Sequence, residues 1–348
     1  SQGVRFRKLD DRNCRSGLGG ELKVRCHREN RLVWAAWVGV FATMTILVSP
    51  GYAQTPVQLE TACERAGGAT RVCVAAAIGA EALHSQVGLL AGIGAEVPGT
   101  ATTLGTRVGG GPRVSFSVGL GFVKMSFPDL TDPLVTREAG AIASSVQGRV
   151  VAGIFEGFRL MPTVGGFLSL DVIGQGSLFF LPENEGISQA LHSYSAALRI
   201  GVLREGFTVP GISVSVAKRF PDDVEYLGTG SPGAISLAPK VTAYRATVGK
   251  DIYALEWSAG IGFEEYVSDV TLDVLKSRDS GGHARANGPI RSDRFIYFGS
   301  ASTTIGILLN LALEVGWAEG FDRSMSWDGP HDPSSGTLFG GLSVRVTM

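Results

Sequence analysis

The chain reads as an all-β protein, a transmembrane antiparallel up-and-down barrel of about ten strands (twelve is the alternative), preceded by a short helical plug or cap. Three observations point there. An uncharged run, Leu32 to Val48, is approached by Arg25, Arg28 and Arg31 and followed by small residues up to Ala53, which is the form of an export signal. Downstream, side chains alternate with a period of two in one segment after another. Glycine supplies 48 of 348 residues, about twice ordinary usage, as suits strands with one small-residue face.

The first element divides the chain. The run 32–48 lies at the lower limit for a membrane span, so a retained anchor is the rival to cleavage near Ala53. Residues 1–24, basic and without periodicity, are expected to be a disordered extension. The organisation read from the sequence is thus 1–53 extension and signal peptide, 54–111 plug or cap, and 112–348 barrel. Beyond Ala53 acidic residues outnumber basic ones, which argues against a nucleic-acid partner.

Within 54–111, Cys63 and Cys73 are the cysteines that survive cleavage, since Cys14 and Cys26 precede it. In an oxidising compartment they are expected to form a disulfide, and so short a loop contributes about 2–3 kcal/mol by restricting the unfolded chain. A zinc pair is the rival, but no nearby His or Cys completes a ligand set, and no metal or cofactor is expected. The stretch Val74-Ala-Ala-Ala-Ile-Gly-Ala-Glu-Ala-Leu83 reads as a short helix. A segment of this length ahead of the first strand would be a plug inside a barrel, a periplasmic cap outside it, or a mobile tail.

From Arg113 onward the strands follow in order. In the first, Val114, Phe116, Val118, Leu120 and Phe122 share one face, and Ser115, Ser117, Gly119 and Gly121 the other. The first face suits lipid and the second water. The same split recurs at 143–156, 165–179, 194–203, 212–220, 241–249, 253–266, 293–303, 306–319 and 338–348. Phe295 to Leu313 carries no charge, yet its centre is polar and rich in β-formers, so two strands around a tight turn are expected there rather than a helix.

The connections alternate in length as a barrel requires. Those at 157–164, 204–211, 250–252 and 304–305 are short; those at 127–142, 180–193, 221–240, 267–292 and 320–337 are long and hold most of the prolines. With both termini in the periplasm, the short set becomes periplasmic turns and the long set extracellular loops.

Strand parity then assigns the lumen. Asp171, Arg199, Arg245, Glu256, Glu264, Glu314 and Arg345 fall on inward positions, with Arg149 beside them. Charges of both signs inside a slim barrel either interlock as ion pairs or line a wet channel. Trp257 and Trp317, near opposite ends of their strands, fit an aromatic girdle.

The C-terminal segment alternates Leu342, Val344, Val346 and Met348 with Gly341, Ser343, Arg345 and Thr347. It resembles the terminal strand by which outer-membrane barrels of Gram-negative bacteria are recognised by the barrel assembly machinery, although that pattern usually ends in an aromatic residue and here ends in Met348. The resemblance implies an outer-membrane location and lipid as a partner. Residues 54–111 ahead of a barrel also look like the long-chain fatty-acid transporter type, whose members carry hydrophobic molecules across that membrane with fourteen strands. No binding residue follows from that likeness.

Catalytic groups are sparse. His192, His283 and His331 fall in expected outer loops, and Asp222-Asp223 with His331-Asp332 resemble the two pairs of the ten-stranded outer-membrane aspartyl-type (omptin-like) proteases. No nucleophile elbow, phosphate loop or metal-binding His pair has a supporting context, so no catalytic residue is assigned. The expectation is a channel or transporter for small solutes, hydrophobic ones included. The alternatives are a non-conducting structural or adhesive barrel and a surface hydrolase.

Overall fold

A computed structural model describes residues 55–93, 97–106, 111–132, 135–159, 165–187, 190–228, 231–276, 282–305, 309–321, 327–329 and 331–348. The expected signal segment, with Cys14 and Cys26, lies outside the described residues, as does the expected start of a strand at 306.

Two helices come first. Helix α1, Pro56–Arg65, starts in a capping box in which Thr55 and Gln58 serve each other's backbone N–H, with Pro56 at the first helical position. It stops where Gly67 takes φ 93°, a left-handed conformation that a side chain would strain. The chain turns back there and Cys63 and Cys73 are bonded. Helix α2, Thr70–Leu90, is twice the predicted length, and every residue from Val72 to Leu90 is buried. His84, Ser85 and Gln86 broke the apolar pattern in the sequence, but His84 and Gln86 find polar partners on the surrounding wall and the Ser85 hydroxyl donates to Ala82 one turn back, so the helix runs through them.

The strands are β1 Arg113–Pro128, β2 Glu138–Phe155, β3 Ser169–Phe180, β4 Ala190–Leu203, β5 Gly211–Pro221, β6 Val224–Tyr226, β7 Gly233–Ile252, β8 Leu255–Leu275, β9 His283–Ile305, β10 Leu309–Ala318 and β11 Thr337–Thr347. All pairings are antiparallel. Neighbours in sequence are neighbours in space, β1 pairs with β11, and β5 reaches past the three-residue β6 to pair with β7, so ten strands close into a barrel. Closure leaves no free edge.

Side-chain parity follows the sequence reading. Val118 is 63% exposed and Ser117 8%. Phe122, Phe180, Tyr194, Phe220, Phe295 and Trp317 stand outward toward the long-loop ends of their strands, and Phe116 and Trp257 toward the short-turn ends. An outward apolar band bounded by aromatic residues is the surface of a barrel in lipid. The wall is that of a membrane-spanning β-barrel.

Two expected loops are largely strand. β7 starts at Gly233, β8 runs on to Leu275 and β9 begins at His283, whereas 221–240 and 267–292 were expected to be loops. Beyond Phe263 and Phe295 the polarity of the wall inverts. Glu265, Asp269, Asp273, Arg285, Arg291 and Asp293 face outward there, and Val270, Leu272, Val274, Ala284, Ala286 and Ile290 face inward and are buried. These strands have left the lipid, so they need water outside and grease inside. A search for apolar-out alternation passes over them.

The inner grease packs on the helices. Leu59 of α1, Leu83, Val87, Leu89 and Leu90 of α2, Phe127, Tyr226, Ile235, Leu272 and Ile290 belong to one buried cluster in the outer half of the barrel. Each fully buried side chain of this size contributes about 1.5–3 kcal/mol.

Candidate functional site

The inner half of the lumen is built on the opposite principle. An α-helix ends with unpaired carbonyls and a partial negative charge, and α2 ends at Leu90 inside the barrel. The wall supplies the missing donors. Gln147 Nε2 donates to the Leu90 carbonyl at 3.3 Å, Gln175 Nε2 to Ala91 at 3.0 Å, Arg245 to Gly92 at 2.8 Å and Arg149 to Ile93 at 3.4 Å. The Arg219 guanidinium lies against Gly92, where a β-carbon would fall 2.1 Å from its Cζ and displace it.

Below the helix the chain is extended and is held in the same way. Arg345 donates to the Pro98 carbonyl at 3.2 Å, Ser302 to Gly99 at 3.1 Å, and Arg199 to Thr100 at 3.3 Å and to Thr102 at 2.5 Å. Asp171 accepts the Leu104 N–H at 3.0 Å. The wall charges also pair among themselves. Arg219 and Arg245 meet Glu264 at 2.8 and 2.9 Å, Tyr266 donates to Glu264, and Arg345 approaches Glu256 at 3.5 Å.

All eight residues that parity assigned to the lumen (Arg149, Asp171, Arg199, Arg245, Glu256, Glu264, Glu314 and Arg345) are turned inward. Seven of them join this plug-to-wall network, and Glu314 is buried on the inward face of β10. Of the two arrangements expected for these charges, interlocking is the one found. Arg219, Arg294 and Gln147 also belong to the network and were not singled out, although each keeps the inward parity of its strand. A gap of about 20 Å³ bordered by Ile93, Pro98, Gln147, Arg149 and Glu314 has room for about one water.

Higher up, at the level where the strands have left the lipid, His84 Nδ1 lies 3.1 Å from Ser268 Oγ and Nε2 lies 2.6 Å from Ser292 Oγ. Burial, with Arg294 nearby, lowers the His84 pKa to about 3, so the ring is neutral. One turn earlier, Glu81 is buried, and burial alone raises its carboxyl to about 7.

Of the three histidines expected in loops, His192 lies in β4 and His283 opens β9, because these strands run past the lipid band, while His331 is in a connection; all three are in local pairs. His192 Nδ1 lies 3.3 Å from Asp222, His283 Nδ1 lies 2.9 Å from Asp273, and His331 Nδ1 lies 2.8 Å from Ser126 Oγ and 3.6 Å from Glu138. Asp332 caps its own turn by accepting from Ser334. Asp222, His331 and Asp332 thus face their own neighbours. At the short-turn mouth Glu205, Asp251 and Glu256 cluster, with Lys250 at 3.2 Å from Glu205 and Arg345 on Glu256.

No protein-family model and no curated protein matches the chain. Among solved structures, the outer-membrane protease OmpT from Escherichia coli aligns at 10% identity over 68% of this chain and 96% of its own, with a TM-score of 0.35. The transport unit of the autotransporter AIDA-I from Escherichia coli aligns at 10% identity over 77% of this chain and 98% of its own, TM-score 0.32. The translocator domain of the autotransporter NalP from Neisseria meningitidis aligns at 9% identity over 68% of this chain and 87% of its own, TM-score 0.31. What these proteins share with this chain is a barrel, and no family follows from the likeness.

Proposed function

We propose that the chain is a self-plugged outer-membrane barrel, closed at rest, whose role is structural or adhesive at the cell surface. The observation that carries this reading is the burial of every residue of α2 from Val72 to Leu90 inside the lumen. Outer-membrane lipid against the apolar band, and the barrel assembly machinery at Leu342–Met348, are the partners it implies. An export signal ending near Ala53 belongs to the same reading. No catalysis is assigned to these His and Asp residues.

A gated channel for small solutes is the second reading, and one observation favours it. Between Leu90 and Leu104 the plug's backbone carbonyls and the Leu104 N–H are held by hydrogen bonds from wall side chains, and such polar contacts can be exchanged for water. The likeness to the fatty-acid transporter type belongs to this reading. Planar-bilayer recording separates the two. On the first, the intact protein passes no current and deletion of 55–111 yields an open pore. Steady conductance from the intact protein would overturn the closed reading in favour of the channel.

A further inference from the structure

The direction in which the chain crosses its own barrel carries a second conclusion. At the start of α2, the Ala69 N–H donates to the Leu275 carbonyl at 3.2 Å and Gly68 bridges to Lys276, both at the β8–β9 connection. Gln86 then exchanges hydrogen bonds with the Ser126 backbone. Arg245 holds Gly92, Arg345 holds Pro98 and Asp171 holds Leu104, each step nearer the short turns. Finally Thr106 Oγ1 reaches Glu156, beside the β2–β3 turn, at 3.5 Å. β1 starts from that same rim, where the Val114 N–H donates to Met348 at 3.3 Å.

The segment from α1 to Thr106 therefore passes through the lumen once, from the long-loop rim to the short-turn rim, before the first strand begins. Short turns of such barrels face the periplasm and long loops face the exterior. A separate feature gives the same orientation: the strand extensions with Asp269, Asp273, Arg285 and Arg291 facing outward project on the long-loop side, as an extracellular rim clear of lipid does. The expectation that both termini are periplasmic holds for the two ends of the barrel and fails for the plug.

We infer that α1 and the disulfide-closed turn Cys63–Cys73 form a cap displayed on the outer surface of the cell, and that the chain following this cap crosses the membrane inside the barrel. The cap is then a surface for contact with the exterior, not a periplasmic anchor. The inference rests on the membrane-barrel reading and is independent of whether the pore conducts.

Two variants, each adding one free cysteine beside the Cys63–Cys73 disulfide, test it in intact cells with a membrane-impermeant maleimide: Gln58→Cys on the exposed side of α1, and Phe207→Cys on a fully exposed short turn. The expected result is labelling of Gln58→Cys in intact cells and labelling of Phe207→Cys after permeabilisation alone. If Gln58→Cys is labelled after permeabilisation alone, the cap faces the periplasm and the inference fails. Labelling of Phe207→Cys in intact cells would reverse the orientation and overturn it equally. A heat-modifiable gel shift for each variant establishes that the labelled protein is folded.

Discussion

Arg245 and Glu264 lie 2.9 Å apart inside the barrel, and the guanidinium nitrogen that meets the carboxylate also donates to the Gly92 carbonyl at 2.8 Å. Wall and plug are thereby joined at one atom. Arg219 completes the group at 2.8 Å from β5, the strand on the other side of β7, so one fully buried acid is shared by two cations. Ion pairs of this kind contribute little net stability when whole, but breaking one exposes the cost of an uncompensated buried charge.

Replacing Glu264 by Ala should therefore destabilise the folded barrel by about 3–5 kcal/mol. The temperature at which the compact gel band converts to the unfolded band should fall clearly. An unchanged conversion temperature would mean that the two arginines find other partners and that Glu264 does not lock the plug.

The inversion of polarity along β8 and β9 sets the height at which lipid ends. Val118 and Asn287 both point outward, one within the apolar band and one beyond it. Val118→Arg should cost about 2–4 kcal/mol if near the midplane, and Asn287→Arg should cost almost nothing. Refolding in lipid vesicles followed by denaturant titration measures both. Equal costs would remove the boundary placed at Phe263 and Phe295.

Cys63 and Cys73 should be linked in protein isolated without reductant, as read by mass spectrometry of a non-reduced digest. Replacing both by Ser should loosen α1 and the start of α2 by about 2–4 kcal/mol. Hydrogen exchange should then rise in 56–75 and stay unchanged in 113–128. Finding both thiols free would leave the cap without its clasp.

Glu81 introduces a pH dependence whose sign can be worked out. Its carboxyl is raised from 4.5 to about 7 by burial, so the folded state favours the protonated form. Stability from this group is full below about pH 4.5 and is lost as pH rises toward 7, on the order of 3 kcal/mol in all. Glu81→Gln should be more stable than the parent protein at pH 7.5 and close to it at pH 4.5. His84, neutral in the fold, acts in the opposite sense on acidification, so the difference between the two proteins is the quantity to read. A difference independent of pH would place Glu81 in contact with water.

Alternation alone determined most of the barrel. Val114 to Phe122 against Ser115 to Gly121, and the eight inward charges, follow from a period of two that water on one side and lipid on the other impose on any strand, whatever its neighbours. The disulfide pair and the presence of a helix were legible for a similar reason: each depends on residues close in sequence. What lay beyond local pattern was decided by tertiary structure. The true length of α2, through His84 and Gln86, depends on Ser268, Ser292 and Ser126, residues far along the chain that satisfy those polar groups inside. The strand character of 267–275 and 283–292 depends on the apolar face that the helices present to Leu272 and Ile290. The path of the plug, from the long-loop rim inward, depends on which wall donor reaches which carbonyl, because a helix pattern has no orientation until a wall surrounds it.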